Sequence, residues 1–198
     1  MGDDRKTVLF LTHLYPRYES DYMAPFLGTL IENLVPYYKM VVLCPRYGEN
    51  VPTRNGVLIE YFAYCIKQWE KLSYSGSLFA KIRGIRIHYQ LLAICFMLAF
   101  FVRGLQVALK YKPDIIHCSW FIPAGIIGYM LSVLFNTPLV LTVHSDAFLV
   151  ERNRVLRSLA KVLFKRAKVV IAVSNAVKEV IAPICPNVKV IYSCNRVF

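Results

Sequence analysis

Short apolar runs alternate along this chain with longer stretches in which apolar residues recur at helical spacing. Thr7 to Thr12 reads as a first strand, and Pro25 to Tyr37 as a helix with Phe26, Leu27, Leu30, Ile31 and Leu34 on one face. Met40 to Cys44 is a second strand closed by Pro45, Asn55-Gly56 marks a turn, and Val57 to Phe62 is a third strand. A long helical region covers Leu78 to Lys110, expected as two helices because Gly84 and Gly104 weaken it. Lys112-Pro113-Asp114 ends that region before a short fourth strand, Ile115 to Cys118. Pro123 is placed to start a helix, and Ala124 to Phe135 is apolar nearly all round, which predicts a buried helix. Pro138 to Val143 is the fifth strand and Arg152 to Arg166 a basic helix. Val169 to Val173 follows as the sixth strand, Asn175 to Ile181 as a short helix and Val188 to Ile191 as a final strand. Strands alternating with helices imply parallel pairing, so the expected fold is α/β: a doubly wound parallel sheet in one domain over residues 1–198.

That order has a chemical consequence, because ligands of an open parallel sheet bind just beyond the carboxyl ends of its strands. Pro138-Leu-Val-Leu-Thr-Val-His-Ser-Asp146 is a buried strand that ends at once in His144, Ser145 and Asp146. A histidine there exchanges protons near neutral pH, and a carboxylate beside it orients or charges it. His13 falls after the first strand, His117 and Trp120 at the fourth, and Ser174 after the sixth, so distant positions converge on one edge. His144 is the candidate catalytic residue; His13, Trp120, Ser145, Asp146 and Ser174 are candidate substrate contacts. Plainer roles stay open at each. His144 can bond to backbone where the next helix begins, Ser145 or Asp146 can cap that helix, and His117 can be satisfied within the core. Trp120 either stacks on a sugar ring or fills the core, and Ser174 is an N-cap whose neighbouring N–H groups also suit a phosphate.

Hydrophobic residues make up 57% of the chain and the mean hydropathy is +0.45, high for a soluble protein. Such a value points to a doubly covered sheet, a membrane-facing surface or a surface that expects a partner domain. The formal charge of +12 is uneven: Lys67, Lys71, Lys81, Arg83, Arg86, Arg103, Lys110 and Lys112 share their stretch with one acid, Glu70. A second basic run, Arg152 to Lys168, contains no acid. This asymmetry favours an anionic partner. Trp69, Tyr74 and Phe79 interleave with the first run, so Trp69, Lys71, Lys81, Arg83 and Arg86 are candidate membrane-facing residues. The alternative is a solvated helix face with buried rings. Nucleic acid is not expected as a partner, since no recognised binding motif accompanies the charge.

Six scattered cysteines (Cys44, Cys65, Cys95, Cys118, Cys185, Cys194) without a Cys-x-x-Cys pair predict a reducing compartment with neither disulfide framework nor zinc site. The apolar stretch Val8 to Leu11 is too short for a secretion signal. Leu91 to Val102, stopped by Arg103, falls short of a bilayer span, which leaves a buried or interfacial helix. The expected location is cytoplasmic, peripheral on the inner face of the membrane. No Gly-x-Gly-x-x-Gly follows the first strand and no Walker loop is present, which argues against a dinucleotide enzyme or an NTPase. A Gly-x-Ser-x-Gly elbow is also missing, and the histidines and acids lack metal-ligand spacing, so neither a hydrolase nor a metal or other cofactor is expected.

Three blocks are more specific: Pro113-Asp-Ile-Ile-His-Cys-Ser-Trp-Phe-Ile-Pro-Ala-Gly125, Thr137-Pro-Leu-Val-Leu-Thr-Val-His144 and Val173-Ser-Asn-Ala-Val-Lys178. Together with Phe26-Leu-Gly-Thr-Leu-Ile-Glu-Asn-Leu34 and Val41-Val-Leu-Cys-Pro45, their order resembles the amino-terminal, acceptor-side domain of family 4 glycosyltransferases. Those enzymes have the GT-B architecture, two Rossmann-like domains facing each other across a cleft. The resemblance implies a retaining, metal-independent transfer of a sugar from a nucleotide-sugar to a lipid-linked or polysaccharide acceptor. It places His144 in the cleft near the transferred sugar, and related enzymes often reach lipid-linked acceptors through this domain.

The chain departs from the family pattern in three places. His144-Ser-Asp146 stands where the family usually has His-Gly-x-Asp, and the loop Tyr15 to Pro25 lacks the family's pair of glycines, leaving Arg17 as a source of charge. The sequence reads Val190-Ile-Tyr-Ser-Cys-Asn-Arg-Val-Phe198 where the family continues into a carboxyl-terminal domain that binds most of the donor and carries paired glutamates, so that domain is expected to be absent. The polypeptide alone is therefore expected to have little or no transferase activity. A non-catalytic module of the same fold, docking a membrane or a partner, is the alternative, and a sugar epimerase a third reading.

Overall fold

The computed structural model describes residues 4–18, 21–47, 51, 53–70, 72–74 and 87–192. Among them, eight strands form one sheet: β1 (Thr7–Leu11), β2 (Lys39–Pro45), β3 (Thr53–Arg54), β4 (Val57–Phe62), β5 (Ile115–Ser119), β6 (Leu139–Val143), β7 (Val169–Ala172) and β8 (Lys189–Val190). Their order across the sheet is β3-β4-β2-β1-β5-β6-β7-β8. β2, β1, β5, β6, β7 and β8 pair in parallel, as does β4 with β2. The helices are α1 (Pro25–Leu34), α2 (Ile87–Tyr111), α3 (Ile126–Leu134), α4 (Ala147–Arg152), α5 (Arg154–Arg166) and α6 (Asn175–Ile181).

Side chains alternate across the strands and divide the core in two. Leu9, Leu11, Val41, Leu43, Ile116, Cys118, Leu139 and Leu141 point to one face, where Phe96, Phe100 and Val107 of α2, Leu131 of α3 and Leu163 of α5 cover them. Val8, Phe10, Met40 and Val42 point to the other, under Leu27 and Ile31 of α1. The sheet is thus doubly wound, and the carboxyl ends of β1, β5 and β6 stand side by side at one edge.

Several elements differ from expectation. The sheet is not wholly parallel: β3 pairs antiparallel with β4 at the edge, across a two-residue turn in which Asn55 (φ 49) and Gly56 (φ 79) both take the left-handed backbone such hairpins require. α2 runs unbroken through Gly104; Gly84 and the start of the expected helical region lie outside the described residues. The missing side chain at Gly104 admits α3, because a Cβ there would stand 3.0 Å from Leu131 Cδ1. Pro123 stands where expected: extended Ile122 (φ −132, ψ 128) breaks the backbone just before it, and the helical path from Pro123 continues through a wide first turn into α3. α3 is not buried all round, since Met130, Val133 and Leu134 are exposed.

The basic helix is preceded by a short one, α4. Asn153 separates them in extended conformation (φ −139), and its Oδ1 accepts hydrogen bonds from the N–H groups of Val155 (2.9 Å) and Leu156 (3.1 Å). α2 is tied to the sheet by polar contacts as well as by its aromatic face. Arg103 Nη2 (2.6 Å), Lys110 Nζ (2.8 Å) and the Tyr111 hydroxyl (2.7 Å) all donate to Glu60 of β4. Burial raises the Glu60 pKa, but Lys110 and Tyr111, as donors, and the Arg103 charge hold it below its usual value.

Candidate active site at the carboxyl edge

The ends of β1, β5 and β6 bring four expected residues together. The His144 imidazole lies nearly parallel to the Trp120 indole, with ring centroids 4.4 Å apart and planes at 25°. His13 meets the same indole edge-on at 4.5 Å, and Phe26 of α1 covers His144 at 5.4 Å. Asp146 stands beneath this cluster. Ser119 Oγ is 2.9 Å from His144 Nε2, a hydrogen bond that fixes the rotation of the imidazole.

Backbone geometry explains why Trp120 reaches this point. It holds φ 70 and ψ 136, a conformation rare outside glycine and costing about 1–3 kcal/mol. Trp120 N–H donates to the Thr142 carbonyl (2.9 Å), and its own carbonyl accepts from Gly125 N–H (3.1 Å). Asp146 locks the two loops together: Oδ2 accepts from Phe121 N–H (2.7 Å) and Oδ1 from His144 N–H (2.9 Å). Both carboxyl oxygens are thus engaged by backbone, so Asp146 positions the β5 and β6 loops. Ser145 keeps a negative φ, so the turn needs no glycine there, and its side chain is exposed.

Burial sets the protonation of the cluster. It lowers the His144 pKa to about 4. Burial, followed by the nearby His144, lowers His13 to about 3 and His117 to about 4. The proton exchange near neutral pH expected of His144 is therefore replaced by a neutral imidazole, a hydrogen-bonding group rather than a charged acid. Asp146 is pushed the other way, up to about 7, by burial that outweighs the N–H groups of His144, Phe121 and Ile122. His13 Nδ1 is buried without a hydrogen-bond partner, an unsatisfied polar atom within the cluster.

The remaining expected residues lie apart from this cluster. Ser174 accepts a hydrogen bond from Val177 N–H (3.3 Å) as the N-cap of α6. His117 bonds Thr142 Oγ1 at 2.8 Å within the sheet. Arg17 is held by Asp21 through Nε (2.6 Å) and Nη2 (2.7 Å), so its charge is compensated inside the β1–α1 loop. Trp69 is exposed in a single turn, Lys67–Trp69; Lys71, Lys81, Arg83 and Arg86 lie outside the described residues. Sequence reading missed Ser119 and assigned Phe26 only to a helix face. Extending the fourth strand by one residue would have set Ser119 opposite Thr142, two positions before His144.

A doubly wound sheet with this cluster at its carboxyl edge has the form of one Rossmann-like half of a GT-B enzyme. The sequence matches Glycosyltransferase Family 4 over residues 27–194, and the chain belongs to that family. No curated protein matches it. Among solved structures it resembles Anabaena Alr3699/HepE in complex with UDP and glucose, with TM-score 0.60 and 20% identity over 96% of this chain and 44% of that one. HepE in complex with UDP-glucose is similar at 19% identity and TM-score 0.60, again over 96% and 44%. Sucrose-phosphate synthase (tll1590) from Thermosynechococcus elongatus gives TM-score 0.62 at 17% identity, over 95% of this chain and 47% of that one. The chain thus spans less than half the length of these relatives, and the likeness concerns the fold.

Proposed function

We propose that this domain forms the acceptor side of a glycosyltransferase site, in which a sugar passes from a nucleotide-sugar to a lipid-linked or polysaccharide acceptor, with retention and without a metal. The observation that carries the reading is the meeting of His13, Ser119, Trp120 and His144 at the carboxyl edge of a family 4 chain. A nucleotide-sugar donor is supported by HepE, solved with UDP and glucose and with UDP-glucose. In this reading a neutral His144 hydrogen-bonds a sugar hydroxyl through the ring nitrogen that Ser119 leaves free. The reading calls for a donor-binding domain facing this edge, in line with the greater length of the solved relatives. A cytoplasmic site at the inner membrane face suits the acceptor.

The deciding experiment is a transfer assay on the complete coding sequence, with labelled nucleotide-sugar and a membrane lipid extract as acceptor. A labelled lipid of retained anomeric configuration, formed in the presence of EDTA and reduced about a hundredfold or more in His144→Ala, is the expected result. A folded full-length protein that transfers no sugar, or a His144→Ala enzyme as fast as wild type, overturns it. Sugar exchange on the donor without acceptor would indicate epimerisation instead.

A further inference from the structure

α2 is apolar on the side that faces the sheet and carries a second apolar strip on the side that does not. Phe96, Phe100 and Val107 fill the core, while Leu91, Ile94, Leu98, Val102 and Leu109 are each 51–60% exposed. At 100° per residue the five exposed positions fall within about 80° of arc, opposite the buried three, and at 1.5 Å per residue the strip runs about 27 Å. His88–Tyr111 has the length to cross a bilayer, and its most apolar 18-residue window has a mean hydropathy of 2.1, more than expected of the segment from its sequence. Its core-facing side and its bonds to Glu60 nevertheless hold it flat on the sheet. An amphipathic surface helix turns polar residues outward. Here the middle of the outward side is leucine, isoleucine and valine, with exposed Gln90 and Gln106 only at its margins, and monomeric soluble proteins rarely carry an apolar patch beyond a few hundred Å².

The neighbouring helices say what covers this strip. α3 packs between α2 and α5 and adds exposed Met130, Val133 and Leu134. α5 exposes Arg154, Arg157, Lys161 and Lys165 interleaved with exposed Val155 and Val162. None of the three helices contains an aspartate or glutamate. Apolar side chains beside cations, with no acid among them, complement an anionic lipid surface: acyl chains for the strip, headgroups for α5. The strip also has a direction. Phe62, at the end of β4, stacks on Phe100 at 4.5 Å and meets Phe96 at 5.0 Å, so Leu91 and Ile94 lie toward the same carboxyl edge as His144.

We propose that the outer side of α2, with α3 and α5 beside it, is the surface on which this protein lies against an anionic bilayer, the strip at the acyl boundary and the α5 cations among the headgroups. Lying so, the domain holds its carboxyl edge beside the bilayer, where the head of a lipid-linked acceptor stands. The proposal rests on the membrane-bound acceptor proposed above, and its test contains no sugar, so lipid contact and sugar transfer can fail independently.

The test is co-flotation of the 198-residue chain with phosphatidylcholine vesicles, with and without phosphatidylglycerol. Wild type is expected to float with the anionic vesicles. Leu98→Glu with Val102→Glu, at positions already open to water, lowers partitioning about tenfold or more, and Lys161→Glu with Lys165→Glu abolishes the preference for phosphatidylglycerol. Leu98→Trp, which keeps the site apolar, reports insertion directly through a blue-shifted emission above that of wild type, quenched by brominated acyl chains. Vesicle binding unchanged in Leu98→Glu/Val102→Glu, or a Leu98→Trp emission indifferent to vesicles, overturns the proposal. A wild type that ignores vesicles but forms a dimer that the glutamates dissociate also overturns it and makes the strip an interface between copies.

Discussion

His144 lies nearly flat on Trp120, 4.4 Å between ring centroids, with its Nε2 2.9 Å from Ser119 Oγ. The indole sets the plane of the imidazole and the hydroxyl sets its rotation within that plane. Ser119→Ala removes the second constraint without touching the first. In the complete enzyme transfer is expected to fall about ten- to hundredfold, the usual effect of a small misplacement of a reacting group. The His144 ring nitrogen shifts should change in the same variant while the melting curve stays close to wild type. An unchanged ring spectrum would mean that Trp120 and Phe26 position His144 by packing alone.

Asp146 is the brace beneath that pair. Asp146→Ala leaves the N–H groups of Phe121 and His144 buried without acceptors, an expected destabilisation of about 2–4 kcal/mol. Asp146→Asn keeps one acceptor oxygen and should lose roughly half as much. Urea unfolding of both variants checks the order; equal and small losses would show that the two loops are held by other contacts.

Acidification should loosen the fold. Between about pH 4 and 6.5 the unfolded chain takes up protons at His13 and His144 that the folded chain refuses, so stability falls as the pH drops through that window. Each proton contributes about 1.4 kcal/mol per pH unit, with a smaller share from His117, which is partly open to solvent. Asp146 has the opposite sign: burial raises its folded pKa to about 7, above the ordinary carboxylate range, so its contribution is present at low pH and lost as pH rises through 7. The histidines outnumber it, and the net expectation is a falling urea midpoint on acidification, steeper in Asp146→Asn. A midpoint level across the window would place water around the rings.

A more local test concerns α3 and β5. A Cβ on Gly128 would lie 2.0 Å from Cys118 Sγ, closer than any tolerated contact. Gly128→Ala should therefore destabilise by about 1–3 kcal/mol despite the better helix propensity of alanine. Cys118→Ala with Gly128→Ala should recover part of that loss, a coupling that a double-mutant cycle reads directly. Strict additivity would mean that the helix shifts away from the strand instead.

Much of the fold was legible because its signals are local. The apolar runs of β1, β2, β5, β6 and β7, the face of α1, and the turn at Asn55-Gly56 all appear as periodicity or turn chemistry. The misses have particular causes. β3 is two residues long and is paired only because Asn55 and Gly56 fold it back on β4. Gly104 looked like a break because propensity cannot see the leucine of α3 that needs its space. Asn153 capped a helix whose start could not be told from the basic residues before it.

By itself the sequence determined the alternation of strands and helices, and through it a parallel sheet whose carboxyl edge gathers His13, Trp120 and His144. Periodicity and chain order are enough for that, because both are written along the chain. Tertiary structure decided what those residues are chemically. It buried the histidines so that they stay neutral, turned Asp146 into a brace held by two N–H groups, and gave His144 its partner in Ser119. It also decided which side of the largely apolar helix α2 remains outside. Burial, hydrogen-bond partners and exposure depend on what other segments place nearby, and that is settled only when the chain has closed on itself.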